Sequence, residues 1–377
     1  MLNRMHERLP RMLADLEDLI RCESPSGDPA AVAHSADLLA ALGSRVLGVA
    51  PERLPHGALR WRFGDGPARV LILGHHDTVW PIGSLETHPF RHEGGVLRGP
   101  GCFDMKAGLV QALHAVAELP DRSGVTILVT GDEELGSPGS RGLIEAEAAG
   151  CAAALVLEAS ADGGALKTER KGVSLYRVRA EGRAAHAGLE PEKGINASVE
   201  LAHQILAVRA LADDQAGTTV VPTRMISGTT TNTVPAAGDF AVDVRIRTLD
   251  EQQRVDAAMH RLEPALPGAR LIIEGGPNRP PLEKHEALYE QAVAAARRLG
   301  LPPPGQAAVG GASDGNFTAG VGTPTLDGLG AVGGGAHADD EHVIVAELPG
   351  RTALLATLTA DLLTPLPRPA RAAYPGW

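Results

Sequence analysis

Aromatic residues are scarce: five Phe, three Tyr and three Trp make up 3% of 377 residues. The core must therefore be filled by Leu, Val, Ile and Ala. Cysteine is also rare. Cys22, Cys102 and Cys151 form no Cys-x-x-Cys and no even framework, which points to reduced thiols in a cytoplasmic protein and away from a disulfide scaffold. No apolar run is long enough to span a membrane. The opening residues Met1–Arg8 continue into an amphipathic helix and not into the apolar core of a signal peptide. Basic charge is outweighed, with a formal net charge of −11, which argues against a nucleic-acid partner, because that surface needs a basic patch.

What is present is a globular profile, 44% apolar and 21% charged. At this length one core is too small a container, so two domains are expected. Helical spacing covers 6–22 and 28–43, with Asp28 placed to cap the second helix before Pro29. Short apolar runs at 70–74, 125–130 and 153–157 read as buried strands. Helices at 105–119 and about 140–149 alternate with them, so the fold class expected is α/β with a mainly parallel sheet covered by helices on both faces.

Near residue 170 the texture changes. Residues 174–181 and 240–248 alternate between apolar and charged, as half-exposed strands do. With a strand at 269–274 and helices at about 196–211 and 250–265, they suggest an inserted α+β sandwich over 171–277. The first domain would then be discontinuous, 1–170 and 278–377, resuming with helices at 283–299 and after Ser313, a strand at 324–329 and a helix to Leu363. The Pro-rich tail from Thr364 to Trp377 is expected to be loose.

The chain is organised around Val70–Pro81. A buried strand stops at Gly74 and empties into His75, His76 and Asp77, at the carboxyl end of the sheet, where open α/β sheets keep their ligands. Alternation puts His75 and Asp77 on one side, so that the carboxylate can take the imidazole's spare N–H. Asp104, Glu134 and Glu158 also follow strands or open a helix, and His337 lies in the loop Gly333-Gly-Gly-Ala-His337. Together these nitrogen and carboxylate donors suit a pair of divalent ions, Zn²⁺ first, with Mn²⁺ or Co²⁺ as alternatives. Of the neighbours Glu133 and Glu134, one can bind metal while the other acts as general base. Singly, each has a plainer reading: Asp104 as a helix cap, Glu133-Glu134 as a solvated pair, Glu158 and His337 as surface residues.

The stretches Gly74-His-His-Asp-Thr-Val, Arg98-Gly-Pro-Gly-Cys-Phe-Asp-Met-Lys-Ala-Gly108, Thr130-Gly-Asp-Glu-Glu-Leu-Gly-Ser, Leu157-Glu158, Ala185-His-Ala-Gly188, Thr231-Asn-Thr-Val-Pro235 and Ala336-His337 resemble the co-catalytic di-zinc exopeptidases. That family includes glutamate carboxypeptidase, aminoacylase and succinyl-diaminopimelate desuccinylase. The resemblance implies one zinc on His75 and Glu158, another on Glu134 and His337, and Asp104 bridging them. It implies Glu133 as the base, Asp77 as the group that orients His75, and an inserted lid and dimerisation domain. That domain's exposed edge would join a homodimer, and its His186 would reach the partner's site to stabilise the oxyanion. Glu158, where several dipeptidases and aminoacylases have Asp, points to the glutamate carboxypeptidase branch. So does Gly275-Gly-Pro-Asn-Arg279-Pro-Pro, whose Arg279 would grip a substrate carboxylate. Asn232 is the other polar group expected at the substrate.

The function expected is therefore hydrolysis of an N-acyl or peptidyl small molecule, releasing a C-terminal acidic amino acid. An aminoacylase-like deacylase or dipeptidase is the alternative. A different class has one hook: Gly328-Leu-Gly-Ala-Val-Gly333 fits the dinucleotide-binding pattern, which should open a helix. A metal-free binding protein on the same fold is a third reading, against which all the expected ligands are present.

Overall fold

The computed structural model describes residues 1–364, so the Pro-rich tail expectation falls almost wholly outside the described residues. Among the described residues two compact units form: Met1–Leu166 with Glu286–Gly305 and the described residues from Leu326, and Lys167–His285 with Gln306–Thr325.

The first unit is an α/β body. Its six-stranded sheet runs Glu52–Arg53, Leu59–Arg62, Val125–Thr130, Val70–His75, Ala153–Val156, Thr325–Leu326. Val70–His75 pairs in parallel with Val125–Thr130 on one side and with Ala153–Val156 on the other. Leu59–Arg62 and Glu52–Arg53 add an antiparallel edge. All residues of these three parallel strands are buried, which is why they read as unbroken apolar runs instead of alternating. Helices Leu2–Arg21, Pro29–Leu47, Ala107–Ala117 and Leu348–Leu363 supply Leu16, Leu39, Leu109 and Leu355 to the same core. Each such side chain contributes about 1.5–3 kcal/mol by leaving water. As the sequence predicts, Asp28 accepts the N–H groups of Ala30 and Ala31 with Pro29 at the first turn; the helix runs past the expected end at 43 to Leu47, where Gly48, at φ 76°, ends it.

A second, small sheet matters more for the site. Gly333–Gly334, His342–Ile344, Val96–Arg98 and Arg91–Glu93 pair in that order, all antiparallel. It joins the segment before Asp104 to the segments flanking His337, which lie more than 200 residues later in the chain.

The second unit is a four-stranded antiparallel sheet, ordered Thr219–Ser227, Ala237–Ile246, Gly172–Glu181, Arg270–Arg279. Tyr176, Val178, Phe240, Val242, Val244 and Ile246 face helices Ala197–Arg209 and Leu249–Met259 in one core, the face the alternation predicts. Residues 306–325 were expected in the first body but pack with this unit. Gln306–Val309 pairs with Leu166–Arg170, and Asn316 donates to the carbonyls of Lys171 and Pro280. Sequence texture does not reveal such an exchange, because both bodies contain short strands.

Candidate metal centre

The strand Val70–His75 delivers His75 to the carboxyl end of the sheet with its side chain 2% exposed. Gly74 before it lies close against two side chains: a Cβ there would lie 2.9 Å from Met105 Cε and Leu109 Cδ2, so that one of them would have to shift. The loop 99–104 then brings in Asp104. Gly101 in that loop has φ +69°, and a Cβ would lie 2.4 Å from Thr78 Cγ2. A π-type turn, Cys102–Lys106, leads into Ala107–Ala117, and the Asp104–Met105 peptide is cis. Asp104 does not act as a helix cap: the N-cap positions of the two elements are Gly101 and Lys106, neither making a side-chain cap bond, and the buried Oδ1 of Asp104 has no hydrogen-bond partner among the described residues.

Asp104 instead lies between two imidazoles. His75 Nε2 is 3.3 Å from Asp104 Oδ1 and 3.6 Å from Glu158 Oε1. His337 Nε2 is 3.2 Å from Asp104 Oδ2 and 3.2 Å from Glu134 Oε1. The donors form two triads that share Asp104: His75, Asp104, Glu158 and Asp104, Glu134, His337, each with its ligand atoms within 4.8 Å of one another. These spacings match the edge of a tetrahedron, about 3.4 Å for ligands about 2.1 Å from a central ion. Glu134 Oε1, like Asp104 Oδ1, is buried with no hydrogen-bond partner among the described residues. Buried polar atoms are otherwise almost always hydrogen-bonded, so the donor set fits a pair of divalent cations.

The surroundings fix these groups. His75 Nδ1 lies 3.0 Å from the Asp77 carbonyl oxygen and 3.5 Å from Asp77 Oδ1. The nearer acceptor is therefore the backbone, not the carboxylate that alternation suggested. Asp77 Oδ2 instead accepts Ser26 Oγ–H at 2.6 Å and the Glu134 N–H at 3.1 Å, so Asp77 ties the His75 loop to the Glu134 turn. His76 has no part in this: its ring nitrogens meet Ser35 Oγ and the Gly57 carbonyl, and burial lowers its pKa. Glu133 is 9% exposed beside Glu134 in the turn Glu133–Leu135. His337 has φ 61°, a left-handed backbone that a non-glycine residue adopts at a cost and that concentrates at functional sites.

Without metal, the charges balance through protons. Burial opposes a charge on His75, but Asp104, Asp77 and Glu158 outweigh it and hold the imidazole well above its usual pKa. Asp104 and then Glu134 push His337 up to about 10. Burial likewise opposes the charge on Asp104, yet His337 and His75 hold it below the usual carboxylate range. Metal ligation needs neutral imidazole. At neutral pH, metal entry must therefore displace protons from both histidines, and affinity should rise with pH. We expect release of about two protons per chain at pH 7, read by zinc titration calorimetry in buffers of differing ionisation enthalpy; no release would contradict these protonation states.

The family model for "Peptidase family M20/M25/M40" matches residues 71–361, a span that contains every residue of both triads. The chain belongs to this peptidase family. As a member it is a hydrolytic enzyme of the metallopeptidase and amidohydrolase class. Carboxypeptidase G2 of Pseudomonas sp. (strain RS-16) is 31% identical over 94% of this chain and 89% of its own length. Succinyl-diaminopimelate desuccinylase of Caulobacter vibrioides (strain NA1000 / CB15N) is 27% identical over 80% of this chain and 84% of its own. Among solved structures, the YXEP protein of Bacillus subtilis, a dinuclear metal-binding peptidase from the M20 family, shares the fold. Its TM-score is 0.66 at 16% identity, covering 96% of this chain and 99% of that one.

The remaining expected residues lie in the second unit. His186 and Asn232 sit on paired loops: His186 bridges to Thr233, and the Ala187 N–H donates to the Asn232 carbonyl at 2.9 Å. His186 Nδ1 accepts from the Gly188 and Leu189 N–H groups. That fixes the tautomer and leaves Nε2–H, on an exposed residue, as an outward donor. Arg279 is elsewhere in the unit, 5% exposed, with Nη2 3.6 Å from Asp314 Oδ1 and its guanidinium 5.0 Å from the Phe317 ring centroid.

Ser26, which donates to the Asp77 carboxylate, is a site residue that the sequence does not single out; its one signal is the Ser24-Pro25-Ser26 turn. The glycine run 328–333 fails as a nucleotide motif. It opens no helix, Gly333–Gly334 is a strand, and Arg351 donates to the Gly328 and Gly330 carbonyls.

No helix among the described residues is long and apolar enough to cross a membrane.

Proposed function

We propose that the chain hydrolyses an amide bond and releases a C-terminal amino acid, glutamate or a similar acidic residue, from an N-acyl or peptidyl substrate. The observation that carries this is the shared Asp104 carboxylate between two converging triads. The likeness to carboxypeptidase G2 over nearly the whole chain supports the substrate class. In this reading His75 and Glu158 would hold one zinc ion and Glu134 and His337 the other, with Asp104 common to both sets. Bound metals would lower the pKa of a water toward about 7 and polarise the scissile carbonyl. The protein's own part is proton handling and positioning. Glu133, buried beside a ligand, takes the water's proton and passes it to the leaving amine. The carboxylate of the released residue is recognised by Arg279, whose fork suits bidentate contact.

The exposed edge strand Thr219–Ser227, with Val221, Met225 and Ile226 each 44–52% exposed, suits pairing with a second copy. In such a homodimer the partner subunit's His186 would offer Nε2–H to the tetrahedral oxyanion.

The desuccinylase relatives favour a second reading, an N-acyl-amino-acid deacylase with the same metal centre. A screen of N-acyl and peptidyl substrates ending in Glu, Asp or neutral residues separates the two. We expect chelator-sensitive activity with preference for C-terminal Glu; equal turnover of neutral residues would remove the acidic specificity. Arg279→Ala is expected to raise KM for the acidic substrate by about 10–100-fold, the loss of a charged hydrogen-bonded contact worth roughly 1.5–3 kcal/mol, with unchanged metal content. An unaltered KM would take Arg279 out of the substrate site.

A further inference from the structure

Three ligand-bearing loops meet on one side chain that the reaction outlined above does not use. Glu341 is 3% exposed. Its Oε1 accepts the N–H groups of Phe103 at 2.8 Å and Asp104 at 3.0 Å. Its Oε2 accepts the Gly101 N–H at 2.9 Å and the Trp80 indole N–H at 2.7 Å. Residues 101–104 end in the shared carboxylate. Trp80 stands on the loop that leaves His75 and Asp77. Glu341 itself lies four residues beyond His337, immediately before the pairing of His342–Ile344 with Val96–Arg98.

We propose that Glu341 is a positioning residue of the metal centre, clamping the backbone of residues 101–104 so that Asp104 is held in register with the loops of His75 and His337. The proposal rests on the metal reading of the two triads.

The chemistry is that of a helix cap supplied in trans. The first amides of a helical turn have no partner within the turn, and here Gly101, Phe103 and Asp104 open the turn Cys102–Lys106. A carboxylate offers about four acceptor sites on two oxygens, and four donors fill them. Charge-assisted bonds of this kind are shorter and stronger than neutral ones. The partners are 237–240 residues apart for the backbone and 261 for Trp80, so the bonds fix tertiary geometry and not local conformation. Glutamine cannot replace this carboxylate. Each oxygen receives two donors, so either orientation of the amide turns its NH₂ toward two N–H groups.

The test compares wild type, Glu341→Gln and Trp80→Phe, each stripped of metal. Phe keeps a ring against His88, where the centroids are 5.0 Å apart, and deletes one donor. Zinc dissociation constants are measured by competition with a chromophoric chelator. Amide hydrogen exchange is followed across 99–106 and, as reference, across Leu348–Leu363. We expect Glu341→Gln to weaken zinc binding roughly 10–100-fold, as loss of an outer-shell partner does. Exchange at Gly101, Phe103 and Asp104 should speed up while the reference helix is unchanged. Trp80→Phe should shift both readouts the same way by a smaller factor. Faster exchange with wild-type zinc affinity would show a purely structural clamp and overturn the proposal, as would wild-type values in both readouts. If Glu341→Gln does not fold, Trp80→Phe decides: unaltered affinity and exchange overturn the proposal. If the wild type binds no zinc, the metal reading itself fails and this proposal with it.

Discussion

Glu133→Gln is expected to keep both metal ions and to lose kcat by about 10²–10⁴-fold, the usual worth of a positioned general base. Glutamine matches the shape of the glutamate and can still hydrogen-bond a water, but it cannot take a proton at neutral pH. Glu133 is buried at 9% exposure, next in sequence to Glu134, which stands at the second triad. The substitution therefore removes a proton acceptor and leaves the ligand set intact. Metal content and kcat measured on the same preparation decide the matter. Two ions per chain with turnover within tenfold of wild type would remove Glu133 from the base role. Loss of metal together with activity would make it a ligand or a support for one.

Asp104→Asn carries the other large effect, on metal content itself. Each triad has three donors and Asp104 belongs to both, so one neutralised carboxylate weakens two sites at once. It also removes the negative charge that would offset two dications sharing one ligand. Replacing His337, which belongs to the second triad only, is expected to cost one ion. We expect Asp104→Asn to retain fewer than one zinc per chain after dialysis and to lose at least about 10³-fold in kcat/KM, together with the metal that Glu133→Gln is expected to keep. Elemental analysis of Asp104→Asn beside His337→Ala gives the contrast. Two firmly held ions in Asp104→Asn would refute the bridging arrangement.

Much of this protein can be read along the chain. The strands 70–75, 125–130 and 153–156 are short apolar runs because both faces are buried, and the groups that follow each run are placed at one end of the sheet by parallel pairing. His75, Glu134 and Glu158 are therefore legible from strand order alone. Asp28 and Pro29 mark the start of a helix by local backbone chemistry. The alternation of Phe240, Val242, Val244 and Ile246 gives the buried face of the second sheet. All of these signals act over a few residues, where periodicity and capping are decided.

Tertiary structure decided the rest. The short apolar strand by itself delivers two histidines, and what becomes of the second, His76, is a tertiary matter. The fold answers by packing His76 onto Ser35 and Gly57. Alternation pointed to the Asp77 carboxylate as the partner of His75, whereas the turn brings the Asp77 carbonyl nearer and gives the carboxylate to Ser26 and Glu134. Asp104 could have been a cap until its carboxylate was seen between two imidazoles. Residues 306–325 carry no mark of the body they join, since strand pairing with 166–170 is a long-range choice. The residue types of the Val70–Pro81 turn and the strand before it are thus set by local burial and turn chemistry. Their convergence with Asp104 and His337 depends on the small sheet that pairs 96–98 with 342–344, because hydrogen bonds across more than 200 residues leave no periodic trace in the sequence between them.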